Sequence, residues 1–329
     1  MSRRILLVAG LALVAAAACS TSSAARVEPT DATAESSSTS NLSSATVDTA
    51  TTPTPTQPTK VDLIAQRFAS RPFGVFVPSS ITPGVPAPLI VLLHGYSGSG
   101  TQIEDYFGLE PVAEQRGMLL VHPSGTVDEF GLRFWDATDA CCRRSGDPVD
   151  DSGYLLDVID AVSERYAVDP DRIWLVGHSN GGFMSYRMAC DHADRIAAIV
   201  SLAGTGFVDA SRCSPSAAVS VLQIHGTADR VIDYDGGEIF DHPYPGALDT
   251  LSGWMTNNSC GGTLVESGER LDLDTELEDD DTTVLRAEAC PPGIAVELWR
   301  IDEGAHSPVL SPDFASLVID FLQAHPKVR

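Results

Sequence analysis

The sequence predicts an α/β protein with a mostly parallel central sheet, helices on both faces and a single folded domain over residues 61–329. Three observations lead there. From residue 61 onward, short runs rich in Val, Ile and Leu alternate with longer stretches of helical periodicity, as in strand–helix–strand units. One such run, Ile173-Trp174-Leu175-Val176, passes through Gly177-His178-Ser179-Asn180-Gly181-Gly182 straight into a helical pattern. The 43% apolar content of 329 residues supplies enough core-forming side chains for a sheet covered on both faces.

Taken in order, the first strand is expected at Gly74 to Val77. The second, Leu89 to Leu93, is an unbroken apolar run and reads as a strand buried on both faces. Helical spacing covers Ile103 to Arg116, followed by a strand at Met118 to His122 and a helix at Tyr154 to Tyr166. The strand Ile173 to Val176 leads into the helix Gly181 to Cys190. Strands at Ala197 to Leu202 and Val219 to Ile224 come next, then a helix at Ala247 to Asn257, a strand at Ala295 to Ile301 and a closing helix at Pro312 to Ala324. Between the last two helices the stretch Glu266 to Thr283 is acidic, with Asp272, Asp274, Glu276, Glu278, Asp279, Asp280 and Asp281 close together. A charge run of this kind reads as a solvated face. A calcium loop over residues 272–281 is the alternative, since carboxylates are hard oxygen ligands, although the spacing is not that of an EF-hand.

The N-terminus carries an address. Arg3 and Arg4 precede a small and apolar run from Ile5 to Ala18, too short to span a bilayer and suited to a secretory leader over residues 1–19. Ala16-Ala17-Ala18-Cys19-Ser20 resembles a bacterial lipobox with Ala16 where Leu is usual. That likeness implies lipidation at Cys19, with ordinary signal-peptidase release as the alternative. Residues 20–60, built from Ser, Thr, Ala and Pro, read as a disordered tether. The expected product is exported, extracellular or held at the cell envelope.

Six further cysteines then face an oxidising compartment. Short loops favour Cys190 with Cys213 and Cys260 with Cys290, leaving Cys141 and Cys142 as a vicinal pair. None of them has zinc-knuckle spacing, so no metal and no cofactor is expected. A formal charge of −24 repels phosphate backbones and anionic lipid, so no nucleic acid is expected and a membrane is reached only through the N-terminal anchor. The only lysines are Lys60 and Lys327, which leaves no phosphate-loop lysine or Schiff base in the body of the chain.

The chemistry concentrates at Ser179. A G-x-S-x-G turn between strand and helix places the serine in a strained backbone conformation that only small neighbours permit, at a helix N-terminus whose N–H groups favour a developing oxyanion. A serine hydroxyl is a poor nucleophile at neutral pH, so a base and a carboxylate are required, in the chain order Ser, acid, His. Val219 to Ile224 ends in His225-Gly226-Thr227-Ala228-Asp229, which puts Asp229 after a strand, with Asp233 and Asp235 as competitors. After the last strand comes Asp302-Glu303-Gly304-Ala305-His306, and of the histidines only His306 satisfies the order. The oxyanion donors expected are the backbone N–H groups of Asn180 and of Tyr96, in the glycine-rich loop His94-Gly95-Tyr96-Ser97-Gly98. Trp135, His178, Phe183 and the loop of Cys141 and Cys142 are expected to shape the substrate pocket.

With these pieces assembled, the chain resembles the secreted esterase family of polyhydroxybutyrate depolymerases and feruloyl or acetylxylan esterases. The likeness covers roughly residues 70–325. Its marks are Leu92-Leu93-His94-Gly95, Phe134-Trp135-Asp136 before Cys141-Cys142, Val149-Asp150-Asp151, Val168-Asp169-Pro170-Asp171-Arg172, Gly177 to Gly182, and His225 to Asp229. The resemblance implies an α/β-hydrolase that needs no metal, with Ser179, Asp229 and His306 as its triad, acting on a small or polymeric ester. Many relatives follow the histidine with an aromatic residue and a proline, whereas Ser307-Pro308 stands here. A serine peptidase on the same fold and a non-catalytic surface lipoprotein are the other readings.

Overall fold

The computed structural model describes residues 66–278 and 280–329. The expected leader, Cys19 and the tether lie outside the described residues.

Strands β1 (Val75–Phe76), β2 (Ala87–Leu93), β3 (Leu119–Val121), β6 (Val168–His178), β7 (Ala198–Leu202), β8 (Ser220–Gly226), β11 (Leu264–Leu271), β12 (Thr282–Ala287) and β13 (Val296–Ile301) form a nine-stranded sheet. Its order is β1-β3-β2-β6-β7-β8-β13-β12-β11. The pairs from β3 across to β13 are parallel, and the outer strands β1, β12 and β11 join antiparallel. Two small hairpins, β4 (Thr126–Val127) with β5 (Arg133–Phe134) and β9 (Gly236–Ile239) with β10 (His242–Pro245), lie outside the sheet. Helices α1 (Gly100–Phe107), α2 (Glu110–Arg116), α3 (Asp151–Arg165), α4 (Asn180–Asp191), α5 (Ala247–Asn257) and α6 (Phe314–Ala324) follow in chain order.

Alternation along each strand divides the core into two layers, because successive side chains leave a strand on opposite faces. Leu89, Val91, Leu93, Leu175, Ile199 and Val221 pack on one face. Ile90, Leu92, Trp174, Val176, Val200 and Leu222 pack on the other. Leu93 pairs with Gly177, His178 with Leu202, and Ile301 with Gly226. The C-terminal ends of β2, β6, β8 and β13 therefore share one sheet edge, where ligands meet open α/β sheets.

The helix expected from Ile103 to Arg116 is two helices. Gly108 adopts a left-handed conformation (φ 61°, ψ 38°), its N–H returning to the Glu104 carbonyl. The Glu104 carboxylate then accepts the Glu110 N–H at 2.7 Å, at the start of α2. Burial pushes the Glu104 carboxyl up to about 7, helped by the negative charges of Glu110 and Asp105. Because the folded-state value lies above the ordinary one, the stability the neutral carboxyl supports is present at low pH and is lost as pH rises through about 7. Glu104→Gln should thus raise the urea unfolding midpoint at pH 8 and leave it unchanged at pH 4. Equal shifts at both values would show that Glu104 makes no pH-linked contribution to stability.

The acidic stretch is not simply a solvated face. It supplies most of β11 and the start of β12, with a pinned turn between them. Asp281 is buried, and its carboxylate accepts the N–H groups of Leu273 (3.2 Å) and Asp274 (2.8 Å). Asp274, also buried, accepts the N–H groups of Glu276 and Val309, each at 3.1 Å. Backbone donors thus satisfy these two carboxylates, which tie the turn to the segment following β13. Among the described residues, no group of three or more His, Cys, Asp or Glu side chains could hold a metal ion. Disulfides join Cys141 to Cys142, Cys190 to Cys213 and Cys260 to Cys290.

Candidate active site

At the end of β6, Ser179 holds φ 53° and ψ −120°, a region that costs a non-glycine residue energy and persists only where packing imposes it. The glycines around it explain how. A Cβ on Gly177 would lie 2.2 Å from the Gly181 carbonyl oxygen, and one on Gly181 would lie 2.0 Å from that of Leu93. The elbow is therefore pressed against β2, and the Ser179 N–H closes it by donating to Leu202 O at 2.8 Å. Gly181→Ala should cost about 3 kcal/mol or more, since two backbone segments would have to part. A melting temperature equal to that of the parent would show that β2 yields.

The loop after β2 lies beside the serine. A Cβ on Gly95 would come within 3.4 Å of Ser179 Cβ. His94 is buried, with Nδ1–H donating to Gly95 O (2.7 Å) and Nε2 accepting the Gly125 N–H (2.9 Å). Burial, with the Arg133 and Arg71 charges, lowers it to about 4, so it is a neutral, fixed tautomer. Among the described residues no protein group accepts the backbone N–H of Tyr96 or of Asn180. The Asn180 side chain is locked: its Oδ1 accepts Trp135 N–H at 2.7 Å, and its Nδ2 donates to Trp135 O at 2.9 Å and to Cys141 Sγ at 3.3 Å.

Asp229 and His306 come together from different strands. A Cβ on Gly226 would lie 2.2 Å from Gly304 O, and the Ala228 N–H donates to that same oxygen at 3.0 Å, so the loops after β8 and β13 interlock. His306 Nδ1–H then donates to Asp229 Oδ2 at 2.7 Å. Asp229 Oδ1 accepts the N–H groups of Val231 (2.8 Å) and Ile232 (2.9 Å). Burial opposes ionisation of Asp229, but hydrogen bonds from His225 and His306, the His306 charge and the Val231 N–H prevail and hold it well below the usual carboxylate range. His178, from the elbow, donates Nε2–H to the His306 carbonyl at 3.0 Å. Burial and the His306 charge push His178 down to about 4, so it stays neutral.

A cavity of about 500 Å³ opens over this edge, lined among others by His94, Tyr96, Tyr106, His178, Ser179 and His306. In this conformation Ser179 Oγ makes no hydrogen bond to His306, whose Nδ1 is engaged by Asp229. Trp135 and Phe183, expected in the pocket wall, are fully buried and do not line it. Both are core side chains. Trp135 also donates Nε1–H to His94 O at 3.0 Å, and so supports the cavity from beneath. The sequence reading missed Tyr106, whose hydroxyl donates to Pro308 O at 2.9 Å beside His306. Its signal was one polar-tipped aromatic on the helix following the His94 loop.

Residues 88–230 match the family model described as the alpha/beta hydrolase fold. An acetyl xylan esterase from Aspergillus awamori superposes with a TM-score of 0.56 at 12% identity, over 77% of this chain and 93% of that one. The chain has the α/β-hydrolase fold. This hydrolase-fold chain is 28% identical over 240 residues to feruloyl esterase B of Piromyces equi, covering 70% of this chain and 41% of the relative. It is 30% identical over 131 residues to poly(3-hydroxybutyrate) depolymerase of Ralstonia pickettii, covering 37% and 26% respectively. It thus spans less than half the length of either relative.

Proposed function

We propose that this chain is an exported serine esterase that hydrolyses carboxylic esters through an acyl-enzyme. The observation that carries the reading is the convergence, at one sheet edge, of a strained Ser179 and a His306 whose Nδ1–H is engaged by Asp229, both lining one cavity. With Nδ1 protonated, the neutral imidazole presents Nε2 as the base. Ser179 attacks the ester carbonyl as His306 takes its proton, and Asp229 stabilises the imidazolium that forms. The backbone N–H groups of Tyr96 and Asn180 donate to the oxyanion, supported by the N-terminus of α4. His306 returns the proton to the leaving alcohol, and water then releases the acid by the same steps in reverse roles.

Esters of hydroxyalkanoate oligomers, or feruloyl and acetyl groups on polysaccharide, are the substrate classes to which the named relatives direct attention. A cavity of about 500 Å³ is within the range used for small ligands and admits acyl groups of this size. Three disulfides favour export, since such bonds persist in oxidising compartments. Lipidation at Cys19 would then hold the enzyme at the cell envelope.

The test is a hydrolysis panel on purified protein with nitrophenyl acetate and butyrate, hydroxybutyrate oligomers, methyl ferulate and acetylated xylan. It is run beside fluorophosphonate labelling mapped by peptide mass. Labelling at Ser179 with turnover of one class is expected. Folded protein that neither labels nor turns over any ester would sink the reading.

A further inference from the structure

Behind Asp229 a chain of buried polar side chains runs away from the cavity. Gln223 and His225 leave the same face of β8, two residues apart, toward α4, where Tyr186 stands. All three are fully buried. The Tyr186 hydroxyl lies 2.6 Å from Gln223 Oε1, Gln223 Nε2 lies 3.0 Å from His225 Nδ1, and His225 Nε2 lies 2.8 Å from the Ile232 carbonyl oxygen and 3.4 Å from Asp229 Oδ2.

The Ile232 carbonyl and the Gln223 amide together place the protons in this chain. A carbonyl oxygen can only accept, so at 2.8 Å from Ile232 O the His225 Nε2 must carry a hydrogen. In the neutral ring Nδ1 is then an acceptor and requires a donor, which orients the Gln223 amide with its NH2 toward His225. Its oxygen therefore faces Tyr186, whose hydroxyl donates. Each buried polar atom finds its complement, as a network in a water-excluded interior requires. The outcome is that the positive end of the His225 N–H dipole points between Ile232 O and the carboxylate oxygen that engages His306. Ile232 is used twice, since its own N–H donates to Asp229 Oδ1 at 2.9 Å.

We propose that Tyr186, Gln223 and His225 form a positioning relay that presents a neutral His225 Nε2–H to Asp229, fixing the orientation and charge of the carboxylate that serves His306. Its functional consequence rests on the esterase reading above. The other titratable groups facing this carboxylate are His306 from the loop after β13, His178 from the elbow and Tyr244 from β10, while Tyr234 places its ring edge-on to His225 at 5.7 Å.

Two measurements test the relay. In histidine-15N-labelled protein, His225 should show a protonated Nε2 and an unprotonated Nδ1 from pH 6 to 8; a protonated Nδ1 overturns the proposal. Gln223→Glu keeps the shape and places a carboxyl opposite Nδ1; where the 15N shifts of this variant show His225 as an imidazolium, its charge competes with His306 for Asp229. The expected result is a fall in kcat of about tenfold with KM within about threefold, and an acid limb of the kcat/KM profile displaced to lower pH. Tyr186→Phe, which keeps the ring volume, should lower kcat by a few-fold and serves if Gln223→Glu does not fold. An acid limb unmoved in folded Gln223→Glu whose His225 is an imidazolium overturns the relay, because mere loosening lowers the active fraction without moving that limb. The two readings fail separately: a wild-type protein without serine-dependent turnover removes the esterase assignment, whereas an Nδ1-protonated His225 removes the relay.

Discussion

Ser179→Ala should lower kcat for whichever ester the protein turns over by about 10⁶-fold, the scale on which triad nucleophiles act. Fold and melting temperature should stay close to those of the parent. The backbone conformation at position 179 is imposed by the close approach of Gly177, Gly181 and the Leu93 carbonyl, none of which involves the hydroxyl. Alanine can occupy the same strained turn. Ser97 and Ser307 also line the cavity, yet neither follows the elbow, and Ser307 Oγ lies 3.4 Å from His178 Nε2, which donates to His306 O. That nitrogen has no lone pair with which to take a serine proton. A residual rate above that of water is expected from the Tyr96 and Asn180 donors alone. Progress curves with parent and variant at matched concentration decide the matter, and a variant within about tenfold of the parent places the nucleophile elsewhere.

Asp229→Asn should cost about 10⁴-fold in kcat with KM nearly unchanged, a magnitude typical of this change in serine hydrolase triads. The direction follows from the hydrogen bonds. Oδ1 accepts two backbone N–H groups, so the asparagine must keep its oxygen there and turn its NH2 toward His306 Nδ1 and His225 Nε2. A donor then faces a donor. His306 relieves the conflict by moving its proton to Nε2, which leaves no base toward Ser179. The kcat of Asp229→Asn, with histidine 15N shifts reporting the inverted tautomer, checks both halves of the argument. Retained activity with an unchanged tautomer would mean that another carboxylate serves His306.

The meeting of Asp229 with His306 was legible because chain order and strand ends leave few places for such a pair. The pocket wall was not. Trp135 and Phe183 carry the residue types of a binding surface, yet both are core, and only burial distinguishes the two uses of an aromatic ring. β11 and the first residues of β12 were hidden for a related reason. The acidic residues that mark a solvated face lie on an exposed edge strand and a turn, and the Thr282–Ala287 strand is too short to stand out beside them. Likewise Gly108 divides the helical run at Gly100–Phe107 because Glu104 offers its carboxylate to the next turn, a choice invisible in periodicity alone.

By itself the sequence determined the α/β alternation, the serine elbow and the order of Ser179, Asp229 and His306, because these depend on local pattern and on small residues at fixed spacing. The tertiary structure alone decided which side chains surround them. It brought Tyr106 to the cavity, turned Trp135 inward against Asn180, and stacked Tyr186, Gln223 and His225 behind Asp229. Most of these contacts join residues far apart in the chain, and their geometry is set by how the helices pack on the sheet.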